Sequence, residues 1–189
     1  MLQQGVSGVG KSTLGAALAA ATGMPFTDGD DLHPKGNVDK MAAGVPLTDA
    51  DREPWLLRIR AHAEWTVADN SDGRVGSGIV VACSALKRIY RDLLRGMPVP
   101  RQDCDCKVSR DQAIVLRTCF VLIEGRREVL VERMEGREGH FMKAGMLESQ
   151  LETLEDPTGE DGVMVVSAEE CTDEQVRRVC AWIGLGSLT

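Results

Sequence analysis

The sequence has little of what marks several other classes of protein. Aromatic residues make up only 4% of the 189 residues, which argues against a platform for stacking nucleic-acid bases. The 22 basic residues are outnumbered by 29 acidic ones, so the net charge of −7 argues against nucleic acid held on a broad basic surface. No apolar run approaches the roughly 18 residues of a membrane span, and we expect no signal peptide. We therefore expect a cytoplasmic protein that binds neither nucleic acid nor membrane.

The six cysteines lack the paired C-x-x-C spacing of zinc sites and are scattered along the sequence. This distribution favours free thiols in a reducing compartment over a disulfide framework. The pair Cys104 and Cys106 leaves metal binding or oxidation open as an alternative.

A glycine-rich segment, Gly5–Ser12, fits the phosphate-binding P-loop pattern G-x-x-x-x-G-K-[ST]. Its glycines can let backbone N–H groups turn inward around a polyphosphate, while Lys11 can reach the β- and γ-phosphates and Ser12 can ligate Mg²⁺. The Ala-rich run at 13–21 predicts a helix whose N-terminus faces the phosphates. The alternative is a glycine-rich turn before a helix, without a ligand. The expected nucleotide-binding residues are Gly5, Val6, Ser7, Gly8, Val9, Gly10, Lys11, Ser12 and Thr13.

An acidic loop follows the next predicted strand, at residues 23–27. Side chains two residues apart on a strand point the same way, so Asp28 and Asp30 are expected to face the phosphate-side crevice together. Carboxylates there would order Mg²⁺ or accept a proton from an attacking hydroxyl. The alternative is an acidic turn that caps a helix.

The rest of the chain alternates apolar runs with helical patterns. Buried strands are predicted at 79–83, 119–124 and 162–167, and capping boxes at Thr48 and Thr172 predict two helix starts. Alternation of this kind predicts an α/β fold with a mainly parallel sheet and helices on both faces, in one domain over 1–189. Residues 96–118 show no sustained period and are expected to form an inserted surface loop.

Two arginines, Arg133 and Arg137, share a predicted helix face in a segment that also contains glycines. Such a segment, about 133–146, could close over a nucleotide as a lid. The alternative is a solvated basic face.

Four further motifs make the pattern specific. They are D-G-D-x-L-H-P at Asp28–Pro34, D-x-D-R-x-P-W-L at Asp49–Leu56, C-S-A-L-K at Cys83–Lys87 and R-x-G-H-F at Arg137–Phe141. With the P-loop before them, they resemble the gluconokinase family of P-loop small-molecule kinases. The match runs from Gly5 to about Pro157, except for 96–118.

The resemblance implies phosphorylation of D-gluconate at its terminal hydroxyl, with ATP and Mg²⁺ as cofactors, by a homodimer with a three-layer fold. It implies that Asp28 orders the metal shell and that Asp30 acts as the base. The segment at about 30–60 would bind the substrate. Candidate residues for the sugar acid are Asp30, His33, Arg52, Lys87 and His140, and an arginine suits its carboxylate. Arg133 and Arg137 would close on the phosphates together with Lys11.

Two departures from the family pattern stand out. The family has a buried strand of about five or six apolar residues before the P-loop, whereas only Met1–Gln4 precede Gly5. The first strand is therefore expected to be truncated or missing, which would leave two neighbouring strands without a partner between them. The segment 96–118 is longer than the family's link. An imperfect gene model would produce both departures; a transcript that reads unchanged from Met1 through 118 would contradict this.

Two other functions stay open from the sequence. One is another small-acid kinase of the same fold, such as a shikimate kinase, although His33-Pro34 and Gly139–Phe141 favour gluconate. The other is a nucleotide-binding protein without kinase activity, which the short N-terminus would explain.

Overall fold

Strands and helices alternate along the chain, in a computed structural model that describes residues 1–70, 78–97, 116–135 and 144–185. The strands are β1 (Leu2–Gln4), β2 (Phe26–Asp28), β3 (Val80–Ala82), β4 (Phe120–Glu124) and β5 (Val163–Ser167). The helices are α1 (Lys11–Thr22), α2 (Lys35–Ala42), α3 (Asp49–Asp69), α4 (Arg88–Arg95), α5 (Arg127–Glu135), α6 (Ala144–Thr153) and α7 (Thr172–Trp182), with a short 3-10 helix at Gly29–Leu32.

The strands form one sheet in the order β2-β3-β1-β4-β5, and every pair in it is parallel. Successive residues of the central strands enter different apolar clusters. Val80 and Val121 pack with Leu14 and Leu18 of α1, whereas Val81 packs against a second cluster that includes Trp55 and Ile59 of α3. The sheet is therefore buried on both faces, which confirms the predicted three-layer α/β fold.

The strand before the P-loop is present, although it has only three residues. Leu2 is in register with Val81 of β3 on one side and with Phe120 of β4 on the other. The expectation that the two neighbouring strands lack a partner between them is therefore wrong. Every residue except proline carries both a backbone donor and a backbone acceptor, so Leu2–Gln4 forms a strand without an apolar pattern.

Burial of Gln3 and Gln4 in this strand is unfavourable. Both residues are 0% exposed, and neither side-chain amide has a hydrogen-bond partner in the described part of the chain. A buried polar group without a partner costs about 1–3 kcal/mol. The centre of the sheet thus carries two destabilising side chains directly behind the P-loop.

Helix termini match the sequence predictions in one case and differ in another. Thr48 and Asp51 form the predicted capping box at the start of α3. The box predicted at Thr172 is wrong, because Cys171 is the N-cap of α7 and makes no side-chain capping bond. Nε2 of Gln175 instead donates to the carbonyl of Ser167, so this side chain joins α7 to the end of β5.

Several predictions fall outside the residues that the structure describes. They concern residues 98–115 of the expected inserted loop with Cys104 and Cys106, and the lid positions from Gly136 to Lys143, which include Arg137 and His140. Across the four described segments, no helix is both long and apolar enough to span a membrane.

Candidate active site

The P-loop has the backbone geometry that phosphate binding requires. Gly10 is the N-cap of α1 with φ 97°, a left-handed conformation that favours glycine. An added Cβ at Gly5 would lie 2.9 Å from the carbonyl oxygen of Ile123, so a larger residue does not fit against β4. α1 begins at Lys11 immediately afterwards, which confirms the predicted helix and directs the N–H groups of its first turn at the loop.

Hydrogen bonds to side chains hold the loop in shape. Nζ of Lys11 donates a 2.9 Å hydrogen bond to the carbonyl of Val6, across the mouth of the loop. The backbone N–H of Ser7 donates to Oε1 of Gln150 on α6, at 2.7 Å. Gln150 was assigned no role from the sequence. It is 143 residues from Ser7 along the chain, so no local pattern connects them.

Asp28 makes side-chain contacts in two directions. Its Oδ2 accepts a 2.6 Å hydrogen bond from Oγ of Ser12, and its Oδ1 accepts one from the N–H of Asp30. It therefore caps the 3-10 helix and also contacts the P-loop serine. A hydroxyl beside a carboxylate suits Mg²⁺, which one or two protein oxygens hold together with phosphates.

Asp30 lies on the 3-10 helix and not on an extension of β2. The two-residue period of a strand, from which its direction was predicted, therefore does not apply to it. Contacts with α3 and β3 hold this 3-10 helix in place. Nε1 of Trp55 donates a 2.6 Å hydrogen bond to the carbonyl of Gly29. A Cβ at Gly29 would lie 2.5 Å from the Ala82 carbonyl oxygen, so the turn packs directly on β3. Asp30 consequently lines a cavity shared with Lys11 of the P-loop.

His33 is packed into the wall of that cavity. Its ring stacks on Trp55 with the centroids 4.0 Å apart and the planes 13° from parallel. Nδ2 of Asn37 lies 3.3 Å from Nδ1, and Oδ1 of Asp30 lies 3.9 Å from Nε2. Burial, with the nearby charge of Arg52, lowers the pKa of His33 from 6.5 to about 4. The imidazole is therefore neutral at physiological pH.

Arg52 also lines the cavity, but Lys87 is not among its lining residues. Nε of Arg52 donates to the carbonyl of Leu47 at 3.3 Å. Nζ of Lys87 instead contacts both carboxylate oxygens of Asp49, at 2.8 and 2.9 Å. The hydrogen bonds from Lys87 and Tyr90 lower the pKa of Asp49. Nζ of Lys87 and Cζ of Arg52 both lie over the ring of Tyr90, each 5.7 Å from its centroid. Lys87 therefore borders the site.

Arg133 lies near the end of α5, where its Nη2 donates a 2.7 Å hydrogen bond to the carbonyl of Ala168. The arginine therefore contacts the connection between β5 and α7. Arg137 and His140 lie outside the described residues.

The structure thus brings Lys11, Asp30, His33 and Arg52 together around one cavity. The sequence analysis missed other lining residues, which approach from separate elements. These are Met41, Pro46, Leu47, Trp55, Ser84, Ser149 and Gln150, whereas the lining residue Ser7 was expected from the P-loop pattern. Some of these residues lie within the family motifs, which was the available signal. A motif, however, does not show where a side chain points.

Comparisons with known proteins show which proteins the chain resembles. A gluconokinase of Gluconobacter oxydans (strain 621H) is 42% identical over 173 residues, covering 92% of this chain and 84% of the relative. A crystal structure of a gluconokinase from Sinorhizobium meliloti 1021 is 42% identical, with a TM-score of 0.73 over 95% of this chain and 88% of the other. A shikimate kinase from Aquifex aeolicus is 14% identical with a TM-score of 0.53, covering 98% of each chain, which shows a shared fold alone. No protein-family model matches the chain.

Proposed function

The chain belongs to the gluconokinase family, and we propose that it transfers the γ-phosphoryl group of ATP to the terminal hydroxyl of D-gluconate. The products are 6-phospho-D-gluconate and ADP. The observation that carries the proposal is the single cavity in which a P-loop lysine, a carboxylate, a neutral imidazole and a guanidinium meet. Phosphoryl transfer depends mainly on positioning and on neutralising charge, and these four groups supply both.

On the donor side, the residues present fit a nucleoside triphosphate. The N–H groups of the loop and of the first turn of α1 would hold the phosphates, and Lys11 would exchange its bond to Val6 for a phosphate oxygen. Ser12 and Asp28 would hold Mg²⁺ between them. When bound, the ion neutralises charge on the β- and γ-phosphate oxygens.

On the acceptor side, Asp30 is the proposed base. The sugar-acid hydroxyl gives its proton to the Asp30 carboxylate as the new oxygen–phosphorus bond forms, and the bond from phosphorus to the ADP oxygen breaks. Asp30 is suited to this role because its side chain is 71% exposed and lines the cavity beside His33. The attacking oxygen would then lie between the carboxylate and the P-loop.

For the carboxylate of the substrate, Arg52 is the proposed partner, because a guanidinium binds both carboxylate oxygens in one plane. Lys87 would act from the border of the site, since Asp49 already holds its ammonium group. Three further residues are proposed from the lid segment. Arg133 and Arg137 would close on the phosphates, and His140 would contact the sugar acid. A homodimer is proposed from the family resemblance alone.

The alternative of a shikimate-kinase-like activity has only the fold in its favour, at 14% identity. The alternative of an inactive nucleotide-binding protein was based on a missing strand, and that strand is present and paired on both sides. Neither alternative has a specific observation behind it.

Identification of the product tests the proposal. After incubation with ATP, Mg²⁺ and gluconate, ³¹P NMR should show a phosphate monoester coupled to the two protons of a terminal CH₂ group. Coupling to a single proton would place the phosphate on another hydroxyl, and absence of a monoester would refute the activity.

A further inference from the structure

Asn37 on α2 is a buried polar residue that the mechanism above does not use; it is 5% exposed. Its Nδ2 donates a 2.8 Å hydrogen bond to the backbone carbonyl of Asp51. A carbonyl only accepts, so this contact fixes which end of the amide faces Asp51. The same NH₂ group also faces Nδ1 of His33, at 3.3 Å.

This orientation determines the protonation of the imidazole. The Asn37 NH₂ group donates, so Nδ1 of His33 must accept and carries no proton. A neutral ring then has its proton on Nε2. The side chain is 4% exposed and stacked on Trp55, so the ring is held in place on its face as well as at its edge.

The protonated nitrogen faces the proposed base. Nε2 lies 3.9 Å from Oδ1 of Asp30, which is too long for a direct hydrogen bond. A single oxygen atom about 2.8 Å from each of them would complete a triangle, with ordinary hydrogen-bond lengths on both sides. Such an oxygen would receive a hydrogen bond from His33 while it donates one to Asp30.

We propose that Asn37 is a positioning residue that holds His33 as a neutral Nε2–H donor, and that His33 hydrogen-bonds the attacking hydroxyl oxygen while Asp30 takes its proton. The second half of this statement rests on the proposed function. The arrangement selects an acceptor with an oxygen lone pair facing His33. A protonated amine has no such lone pair, so the site discriminates against amino analogues of the sugar acid.

The tautomer is measured directly by ¹⁵N NMR of the imidazole nitrogens. The chain has three histidines, and the His33→Gln variant identifies the signals of His33. The expected result at neutral pH is a protonated, pyrrole-type Nε2 and an unprotonated, pyridine-type Nδ1. A proton on Nδ1, or on both nitrogens, would overturn the proposal whether or not the enzyme turns over gluconate.

Substitution of Asn37 tests the link to catalysis. In Asn37→Asp the carboxylate accepts from Nδ1–H, so the tautomer should reverse or the ring should become charged. We expect kcat/KM for gluconate to fall at least about tenfold, while KM for ATP changes less than about twofold. His33→Gln, which keeps an N–H donor, should retain more activity than His33→Phe.

Asn70→Asp is the matched control. Its Nδ2 donates to the carbonyl of Thr66 at the far end of α3, so the same chemical change occurs away from the site. Asn37→Ala, which removes the donor without adding charge, covers the case in which Asn37→Asp does not fold. Unchanged gluconate kinetics in a folded Asn37 variant would overturn the role of Asn37. Loss of all sugar-acid turnover in the wild type would instead refute the proposed function, and the NMR result would still decide the tautomer.

Discussion

Oγ of Ser12 lies 2.6 Å from Oδ2 of Asp28, which joins the first turn of α1 to the carboxyl end of β2. The P-loop helix and β2 thereby present a hydroxyl and a carboxylate at one point. In an open parallel sheet this is the edge at which ligands bind. The contact links the phosphate-binding loop to the acidic motif that follows it.

Asp28→Asn should weaken the use of Mg²⁺ without unfolding the site. The amide keeps the shape of the carboxylate and its hydrogen bond to Ser12, but it lacks the negative charge that a hard cation prefers. We expect the Mg²⁺ concentration for half-maximal rate to rise about tenfold, measured at fixed ATP. Asp39→Asn, on the surface ion pair with Lys35, is the control. Equal Mg²⁺ dependence in both variants would contradict the assignment.

Asp30→Asn should lose most of kcat while ATP still binds, because the amide does not accept the hydroxyl proton. General-base catalysis contributes about 10²- to 10⁴-fold, so the loss should fall in that range. Steady-state kinetics with an ATP-binding measurement test this. The neighbouring Asp31→Asn carries the same change and should stay near wild type. Near-full kcat in Asp30→Asn would show that another group is the base.

Gln4→Leu should raise the melting temperature. It removes a fully buried amide without a hydrogen-bond partner and keeps a similar side-chain volume. A gain of about 1–3 kcal/mol is expected, and each kcal/mol corresponds to about 2–4 °C at this chain length. Gln175→Leu is the matched control, because Nε2 of Gln175 donates a 2.6 Å hydrogen bond to Ser167, and its loss should lower stability. Equal destabilisation by both substitutions in thermal unfolding would contradict the prediction.

His33 should make the fold sensitive to acid. Its folded pKa of about 4 lies below the ordinary value of 6.5, because burial disfavours the charged ring. Between these values the unfolded chain binds a proton that the folded chain does not, so stability falls as pH is lowered from 6.5 towards 4. His33→Gln has nothing to protonate and should lose less stability across this window in urea unfolding. The same loss in both proteins would place the acid sensitivity elsewhere.

The elements that the sequence predicts well are those with a local cause. The P-loop helix follows from an Ala-rich run, α3 from the Thr48–Asp51 capping box, and β3 from the β-branched residues of 79–83. β1 had no such pattern, because Gln3 and Gln4 are residues that burial ordinarily excludes. Cys171 is the N-cap of α7 but makes no side-chain capping bond, so the start of that helix was placed one residue late.

The candidate site was predicted as a set of residues but not as a geometry. Asp30, His33 and Arg52 meet because α3 and the 3-10 helix pack together through Trp55. The pairing of Lys87 with Asp49 joins residues 38 positions apart, and spacing rules do not reach that far. Long-range contacts of this kind decide which charged groups stay available to a substrate and which are held by the protein.

The most direct test of the central claim is an ADP-release assay on the purified protein with ATP, Mg²⁺ and a panel of sugar acids that includes shikimate. We expect saturable turnover with D-gluconate, at a kcat/KM at least about tenfold above that of every other acceptor. Turnover of shikimate without turnover of gluconate, or ATP binding without turnover of any acceptor, would contradict it.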